Sequence, residues 1–388
     1  MASIEKRTGG NGKPEYRARW RDGEGKSRRS RWFDRKHDAE RHRATVEADL
    51  HRGAYVDPNN PVTVAEYARE WIANRPHRAM SRLWYANLLK NHIEATPLGR
   101  RPLVKVKPSE VQAWVTTRAQ ILSPYNLRVH VGALRSIFAT ALLDGVISRN
   151  PVQPTNRLSL PKREHRPVTP LLVEQVRALA DAMPARFQAM ALTQAGLGLR
   201  VGELLALRIK DVDFLRRFVH VEHQLERETL ERVPPKTPKS RRDIPLPQVV
   251  AEALAEHIRQ WPPAADGTLF TPSEPGDGFR RGSTPRTRAR PDRVHHSVYE
   301  GHFREAVRRA GLPAGTSTHD LRHHFASVLL HAGESVHAVA ERLGHTTPEL
   351  VLKVYGHLMP NQEDRTRRAI DAAWSEAVER PVRAVEAD

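Results

Sequence analysis

The side chains best suited to chemistry lie in four short segments of the second half of the chain. Two guanidiniums, one ammonium, two imidazoles and one phenol stand out there, and no pair of carboxylates accompanies them. The six residues are Arg200, Lys236, His319, Arg322, His345 and Tyr355.

This set of groups fits attack on a DNA phosphodiester. Two arginines can bind the non-bridging oxygens of a pentacoordinate phosphorus and stabilise the added charge without a metal ion. A phenol needs neighbouring cations, or a histidine that takes its proton, to act as the nucleophile at neutral pH. The departing 5′-oxygen needs a general acid, and a lysine whose pKa is lowered by burial and nearby arginines can supply that proton.

Each residue also has a structural explanation. A tyrosine at a helix end often only packs its ring, and Arg200 with Glu203 can form a buried structural pair. His319 and His323 have the i, i+4 spacing of a zinc site, but the chain has no cysteine and an arginine between the two histidines would repel a cation. We therefore expect an anion site and no metal. Lys239 remains the alternative to Lys236 as the general acid.

Local sequence patterns place these groups at helix ends and in one turn. Arg200 stands at a turn that leads into an apolar helical segment, and Tyr355 lies near the end of a short helix. His319 and Arg322 are three residues apart and share one helix face. Lys236 lies in a turn between two strand-like segments.

Composition points to a polyanionic partner. The 388 residues carry a formal net charge of +18, which favours nucleic acid. No run of eighteen apolar residues, lipidation signal or secretory signal is evident, so we expect no membrane partner and a soluble, cytoplasmic protein. The absence of cysteine excludes disulfides and a thiolate nucleophile.

The fold class expected is multidomain and mainly α, with three parts. Residues 1–57 predict a small α+β module with a three-stranded sheet and a helix, residues 62–152 an all-α domain, and residues 165–380 a mixed but mostly helical domain. The basic segment 279–293 predicts a mobile loop with nonspecific phosphate contacts and no catalytic residue.

The first module carries the second candidate site. Arginines alternate with aromatic residues on two strands, so one sheet face could lie on DNA through Arg17, Arg19, Arg29 and Arg31. The alternative is a solvated hairpin whose aromatic residues Tyr16, Trp20 and Trp32 form its small core. The residues alone do not separate the two.

Four motifs in series resemble the signature of the tyrosine recombinases, the phage-type integrases. They are GLRVGELLALRIKDVD, PKTPKSRRDIPL, HDLRHHFAS and LGHTTPELVLKVYGHL. The resemblance implies an arm-type DNA-binding module, a helical core-binding domain and a catalytic domain. It makes the six residues above the catalytic set, with Tyr355 as the nucleophile and Glu203 as structural support.

The resemblance also implies a reaction cycle on double-stranded DNA. Tyr355 forms a 3′-phosphotyrosine, Lys236 protonates the 5′-oxygen, and a 5′-hydroxyl reverses the step, so that no cofactor is needed. Strand exchange implies a homotetramer on DNA, with accessory DNA-bending or excision factors as further partners. A bacterial or phage-encoded enzyme acting on the nucleoid to integrate or excise a mobile element is expected.

The segment after Tyr355 carries an apolar helical stripe. It comprises Ile370, Ala373, Trp374, Ala377 and Val378. Docking on a neighbouring protomer and packing on its own domain remain equal alternatives.

Two other function classes stay open at this point. A DNA-binding regulator would not need Lys236, His319 and Tyr355 together, and a type IB topoisomerase would relax supercoils as a monomer. A covalent protein–DNA adduct separates the first from a recombinase, and dependence on a defined DNA site separates the second.

Overall fold

A computed structural model describes most of the chain. It describes residues 2–10, 12–23, 25–52, 55–77, 79–153, 158–162, 168–235, 237–272, 292–358 and 363–379. The chain divides into two compact units, Met1–Glu164 and His165–Asp388. The model is mainly helical with small sheets, which confirms the predicted fold class.

The first unit begins with a three-stranded antiparallel sheet of order β1–β2–β3, covered by one helix. Alternation along β2 turns Ala18 and Trp20 inward, where they pack with Val46 of the helix. The turn after β2 is closed by a bond from the Gly25 amide to the Asp22 carbonyl, 2.9 Å long. The elements are β1 Ser3–Thr8, β2 Pro14–Arg21, β3 Ser27–Arg29 and α1 Lys36–His51.

The rest of the first unit is helical. Thr63 and Glu66 form a reciprocal capping box at the start of α2, and Ser123 caps α6 through the Asn126 amide. Apolar faces of these helices meet in one core that includes Trp71. The helices are α2 Val64–Ala73, α3 Ala79–Leu88 with a π-helical extension Leu89–Glu94, α4 Pro97–Arg100, α5 Pro108–Ala119 and α6 Pro124–Leu143.

The second unit combines helices with two small antiparallel sheets, β4–β5–β8 and β6–β7. Its strands are β4 Val212–Asp213, β5 Phe218–Val221, β6 Gln224–Leu225, β7 Arg232–Val233 and β8 Arg242–Pro245. Its helices are α7 Val173–Ala182, α8 Ala185–Leu197, α9 Val201–Ala206, α10 Gln248–Gln260, α11 His296–Arg309, α12 Thr318–His331, α13 Val336–Leu343, α14 Glu349–Tyr355 and α15 Glu363–Glu379.

Helix α8 organises the core of this unit, because it packs against α7, α10 and α12. It and α13 both end at a left-handed glycine, Gly198 with φ +61° and Gly344 with φ +63°. A Cβ on Gly198 would lie 2.4 Å from the Phe325 ring, and one on Gly344 would lie 3.1 Å from the Arg242 guanidinium. These two helix ends therefore require glycine for both conformation and space.

The basic segment 279–293 is described only at its end. Most of the basic segment 279–293 lies outside the described residues, but Arg293 is buried and binds Asp266 at 2.9 Å, so the segment's last residue belongs to the fold.

Among the described helices, none combines the length and apolar character needed to cross a membrane.

Candidate active site

Tyr355 is almost fully buried at the end of α14, with 2% of its surface exposed. Its hydroxyl lies 2.6 Å from Nδ1 of His323 on α12. Burial raises the pKa of Tyr355 to about 12, although the nearby Arg322 opposes this shift. The hydroxyl thus faces a histidine and a guanidinium rather than an apolar interior. A nucleophile needs such polar surroundings.

Arg322 joins the carboxyl ends of two helices. It is 1% exposed and donates hydrogen bonds to the carbonyl of Gly198, at the end of α8, and to that of Leu343, the last residue of α13. Helix carboxyl ends carry partial negative charge, so both favour the cation. Burial and the like charge of Arg200 lower the pKa of Arg322, but a guanidinium remains protonated at neutral pH.

Arg200 is positioned by Glu203, as the sequence suggested for this pair. The carboxylate accepts from Arg200 Nη1 at 2.7 Å and from the Arg200 backbone amide at 3.0 Å. The Arg200 side chain keeps 38% of its surface exposed. The Arg200 side chain can therefore reach a ligand while Glu203 holds its backbone in place.

A third arginine completes this charge cluster. Arg242 begins β8 with its side chain 3% exposed, and it binds Glu203 Oε2 at 2.9 Å. Burial alone would raise the pKa of Glu203, but Arg242, then Arg200 and Arg322, hold that pKa at about 2. Glu203 is therefore ionised and serves as the shared counterion of two arginines.

The end of α13 gathers the cations of the site. Four successive donors reach carbonyls within five residues: Arg242 Nε binds Arg342 at 2.7 Å, Arg322 binds Leu343, Arg200 Nη2 binds Gly344 at 3.5 Å and Lys239 Nζ binds Thr346 at 2.9 Å. The carbonyls left unpaired at a helix carboxyl end are natural acceptors for such donors. This turn brings together residues that are more than 100 positions apart in sequence.

Two histidines lie beside the arginines. Loss of hydration lowers the pKa of half-buried His345 to about 4, with Arg322, Arg200 and Arg242 adding to the effect. Loss of hydration also lowers the pKa of His319 to about 4, and the charges of His323 and Arg322 add to the effect. The His319 ring lies edge to face on that of His323, at a centroid distance of 4.7 Å. His345 Nδ1 is buried and has no hydrogen-bond partner among the described residues, so it can bind a ligand.

The structure thus brings five of the six predicted residues together: Arg200, His319, Arg322, His345 and Tyr355. Lys236 lies outside the described residues. Lys239, the alternative, is exposed and bound to the Thr346 carbonyl next to His345.

Sequence reasoning missed two members of this cluster, Arg242 and His323. The strand beginning at Arg242 has an inward-facing alternation, buried at Arg242 and Ile244 and exposed at Asp243. An arginine at an inward position signals a buried partner. His323 was considered only as a zinc ligand with His319, and among the described residues no group of three or more suitable side chains could hold a metal.

Three of the predicted DNA-binding arginines, Arg17, Arg19 and Arg29, lie on the sheet face opposite α1, whereas Arg31 follows β3 and lies over the Phe33 ring at 5.1 Å. Pairing puts Arg19 opposite Arg29 and Arg17 opposite Glu5. Arg17 binds Glu5 at 2.9 Å and lies 4.3 Å from the Trp32 ring, whereas Arg19, Arg29 and Arg31 are exposed. Trp20 belongs to the core of this module, as the alternative interpretation predicted. The DNA contact of the arginines stays a prediction.

Comparison of the sequence with known proteins identifies relatives of this chain. The model of the phage integrase family matches residues 170–362. The prophage phiRv2 integrase of Mycobacterium tuberculosis is 30% identical over 295 residues, which cover 75% of this chain and 73% of that protein. A XerC-like tyrosine recombinase of Caldanaerobacter subterraneus is 24% identical over 381 residues, or 91% of this chain and 95% of that one.

Solved structures agree with this result. The Tn1549 transposon integrase in complex with transposon right end DNA is 25% identical and matches with a TM-score of 0.64 over 80% of this chain and 99% of that one. A lambda integrase dimer bound to a core site is 16% identical, with a TM-score of 0.58 over 76% of this chain and 95% of that one. The second likeness concerns the fold alone.

Proposed function

The chain belongs to the phage integrase family, and we propose that Tyr355 is the nucleophile with which this site-specific recombinase breaks and rejoins DNA. The observation that carries the proposal is the convergence of Arg200, Arg322 and His345 at one helix end, beside the Tyr355 hydroxyl. Such a cationic site suits one phosphodiester. The enzyme acts on the DNA of a mobile element, as an integrase, and we place that action at the nucleoid in the cytoplasm.

Arg200 and Arg322 stabilise the phosphorane in this mechanism. Arg322 uses two of its five N–H groups on carbonyls, and Arg200 keeps an exposed side chain. The remaining donors can bind the two non-bridging oxygens as charge develops on them. His345 and His319, neutral at pH 7 because their pKa values are lowered to about 4, can donate one hydrogen bond each to the same phosphate.

Attack requires a movement. Tyr355 is 2% exposed and Arg322 is 1% exposed, so neither side chain can contact a DNA phosphate as the site stands. DNA binding must therefore shift α14 or the Tyr355 side chain and open the site to both residues. Tyr355 would then bond to phosphorus, and the 5′-oxygen would leave with the electron pair and a proton from a lysine.

The identity of that lysine is open between Lys236 and Lys239. Changing each to methionine should stop cleavage in only one case. A substrate with sulfur in place of the bridging 5′-oxygen has a leaving group that needs no proton, so it should restore cleavage to the variant that lost the general acid. Restoration in neither variant would place the general acid elsewhere.

The test of the proposed function is a covalent adduct. Protein–DNA adducts recovered from cells, with the attached DNA sequenced, should contain one defined site joined to Tyr355, and Tyr355→Phe should give none. Absence of adducts with the unaltered protein would favour a DNA-binding regulator. Adducts at unrelated sequences, with supercoil relaxation, would favour a topoisomerase.

Strand exchange needs several protomers, and we propose that α15 joins them in a tetramer on DNA. Its predicted apolar stripe is exposed where the structure describes it, with Ile370 57% and Trp374 73% exposed. Side chains of Ala377 and Val378 lie outside the described residues. Exposed apolar surface of this kind favours docking on a neighbour.

Truncation after Met359 tests this assembly. The shortened protein should still form the covalent adduct but should fail to pair two DNA sites. Trp374→Glu should reproduce the defect, whereas Ser375→Glu, which adds the same charge one residue later, should not. Unchanged pairing after truncation would contradict the proposed role of α15.

The N-terminal sheet face is the second proposed DNA contact. Arg17 is paired with Glu5 and lies over the Trp32 ring. Arg19, Arg29 and Arg31 are exposed to solvent, although Arg19 donates a hydrogen bond to Ser27 and Arg31 lies over the Phe33 ring. Their contribution should be mainly electrostatic and additive.

A further inference from the structure

The contact between His323 and Tyr355 has no place in the predicted catalytic set. Nδ1 of His323 and the Tyr355 hydroxyl are 2.6 Å apart, and the two rings meet edge to face at 5.4 Å. Within the described ranges, no other histidine hydrogen-bonds to this hydroxyl. The mechanism above names a general acid for the leaving oxygen but no group that takes the phenolic proton.

We propose that His323 is the catalytic base of the cleavage step and that its Nδ1 accepts the proton of Tyr355 as the phenolic oxygen attacks phosphorus. The inference rests on the proposed function, because it concerns the same nucleophile. The O–H bond of Tyr355 breaks and the new O–P bond forms, while the P–O5′ electron pair leaves with the 5′-oxygen. The imidazolium formed returns its proton to Tyr355 when a 5′-hydroxyl reverses the reaction.

The surroundings keep His323 ready for this role. Its half-buried ring lies one turn from His319 on α12 and packs edge to face on that ring. Loss of hydration lowers its pKa, the charge of Arg322 lowers it further, and Asp320 opposes them, so the ring is neutral at pH 7. A neutral ring with its proton on Nε2 presents the Nδ1 lone pair to the hydroxyl.

Two other histidines nearby are engaged elsewhere. His324, the next residue on α12, binds the Leu171 carbonyl at 2.7 Å, and His357, two residues after Tyr355, binds the Val168 carbonyl at 2.9 Å. His345 interacts with the charges of three arginines, and none of the described residues hydrogen-bonds to its Nδ1, which can therefore bind the phosphate. The geometry therefore separates a phosphate-binding histidine from a proton-accepting one.

A single-turnover cleavage assay across pH 6 to 9 tests the proposal with His323→Asn. Asparagine can place an oxygen near the position of Nδ1, so it can hold Tyr355 but cannot take a proton. We expect cleavage about 10²- to 10⁴-fold slower than that of the unaltered protein. Without a base, the rate should rise about tenfold per pH unit with the phenolate fraction, since the pKa of Tyr355 is near 12.

His331→Asn is the matched control, because it makes the same change on the same helix, at a histidine that hydrogen-bonds to the Ser327 carbonyl one turn earlier. It should keep the rate and pH profile of the unaltered protein. DNA binding and the unfolding midpoint of both variants show whether the fold is intact.

A fluorinated tyrosine at position 355, whose phenol ionises at lower pH, gives the decisive comparison. It should restore much of the rate of the His323→Asn protein and flatten its pH profile. An unchanged rate in His323→Asn, or a slow rate whose profile stays parallel to the original and is not restored by fluorination, would overturn the base assignment. Failure of the unaltered protein to form any adduct would instead refute the proposed function.

Discussion

The two arginine-rich regions of the molecule are built on different principles. In the catalytic unit, Arg242 and Arg322 are nearly inaccessible, and the four cations described at the site bind Glu203 or a carbonyl at the end of α13. On the N-terminal sheet, Arg19 and Arg29 are exposed, and the one acidic partner of Arg17 belongs to the adjacent strand.

We expect the buried arginines to take part in catalysis and the exposed arginines to attract DNA by charge. A buried cation has lost its hydration, so its direction is fixed and its interaction with a phosphate is strong and dependent on geometry. An exposed cation is screened by salt and contributes by its charge alone. Substitutions should therefore have large, geometry-dependent effects in the first region and small, additive effects in the second.

The largest difference between the two regions is expected in the stability that is lost when the acidic partner of an arginine is removed. Glu203→Gln leaves two arginines without their buried counterion, and breaking such a pair costs about 3–5 kcal/mol. Glu5→Gln, the matched change on the sheet, should leave the unfolding midpoint nearly unchanged because its pair with Arg17 is solvated. Urea unfolding of the two variants measures this, and similar losses would remove the distinction.

Arginine-to-lysine changes should show the next largest difference between the two regions. Arg322→Lys keeps the charge but cannot bind the Gly198 and Leu343 carbonyls and a phosphate together, so cleavage should fall about 10²- to 10³-fold. Arg19→Lys keeps its contribution to DNA binding. Single-turnover cleavage and DNA affinity are the measurements, and an Arg322→Lys enzyme with nearly full activity would contradict a geometric role.

Acidification should weaken the catalytic unit in a defined window. His345 has a folded pKa of about 4, below the ordinary value of about 6.5, so the unfolded state binds more protons between these values. Stability is full above pH 6.5 and falls as the pH drops towards 4, with His319 acting in the same direction. His345→Asn should make the unfolding free energy less dependent on pH in this window. Equal slopes for both proteins would show that His345 does not contribute.

The smallest effects concern single exposed arginines of the sheet. Arg19→Ala and Arg29→Ala should each weaken DNA binding slightly and reduce the slope of log affinity against log salt by about 0.9. The effects should add in the double variant. A loss that exceeds the sum, or one that is independent of salt, would indicate that the face reads DNA geometrically as the catalytic site does.

Sequence alone predicted the three-stranded sheet, the helical regions and the members of the site that belong to recognisable motifs. Periodicity and charge are local signals, and Arg200, His319, Arg322, His345 and Tyr355 stand in short patterned segments. Arg242 and His323 were missed because their roles arise from contacts across 39 and 32 residues of sequence. The gathering of cations at the end of α13 likewise depends on tertiary packing.

The central claim is that the gathered cations and the Tyr355 oxygen meet at one phosphorus. The most direct measurement is a structure of the protein on nicked DNA with vanadate in place of the scissile phosphate. Vanadium should carry the Tyr355 oxygen at an apical position, with Arg200 and Arg322 bound to its equatorial oxygens. Vanadate held by other residues, with the Tyr355 oxygen away from the vanadium, would contradict this arrangement.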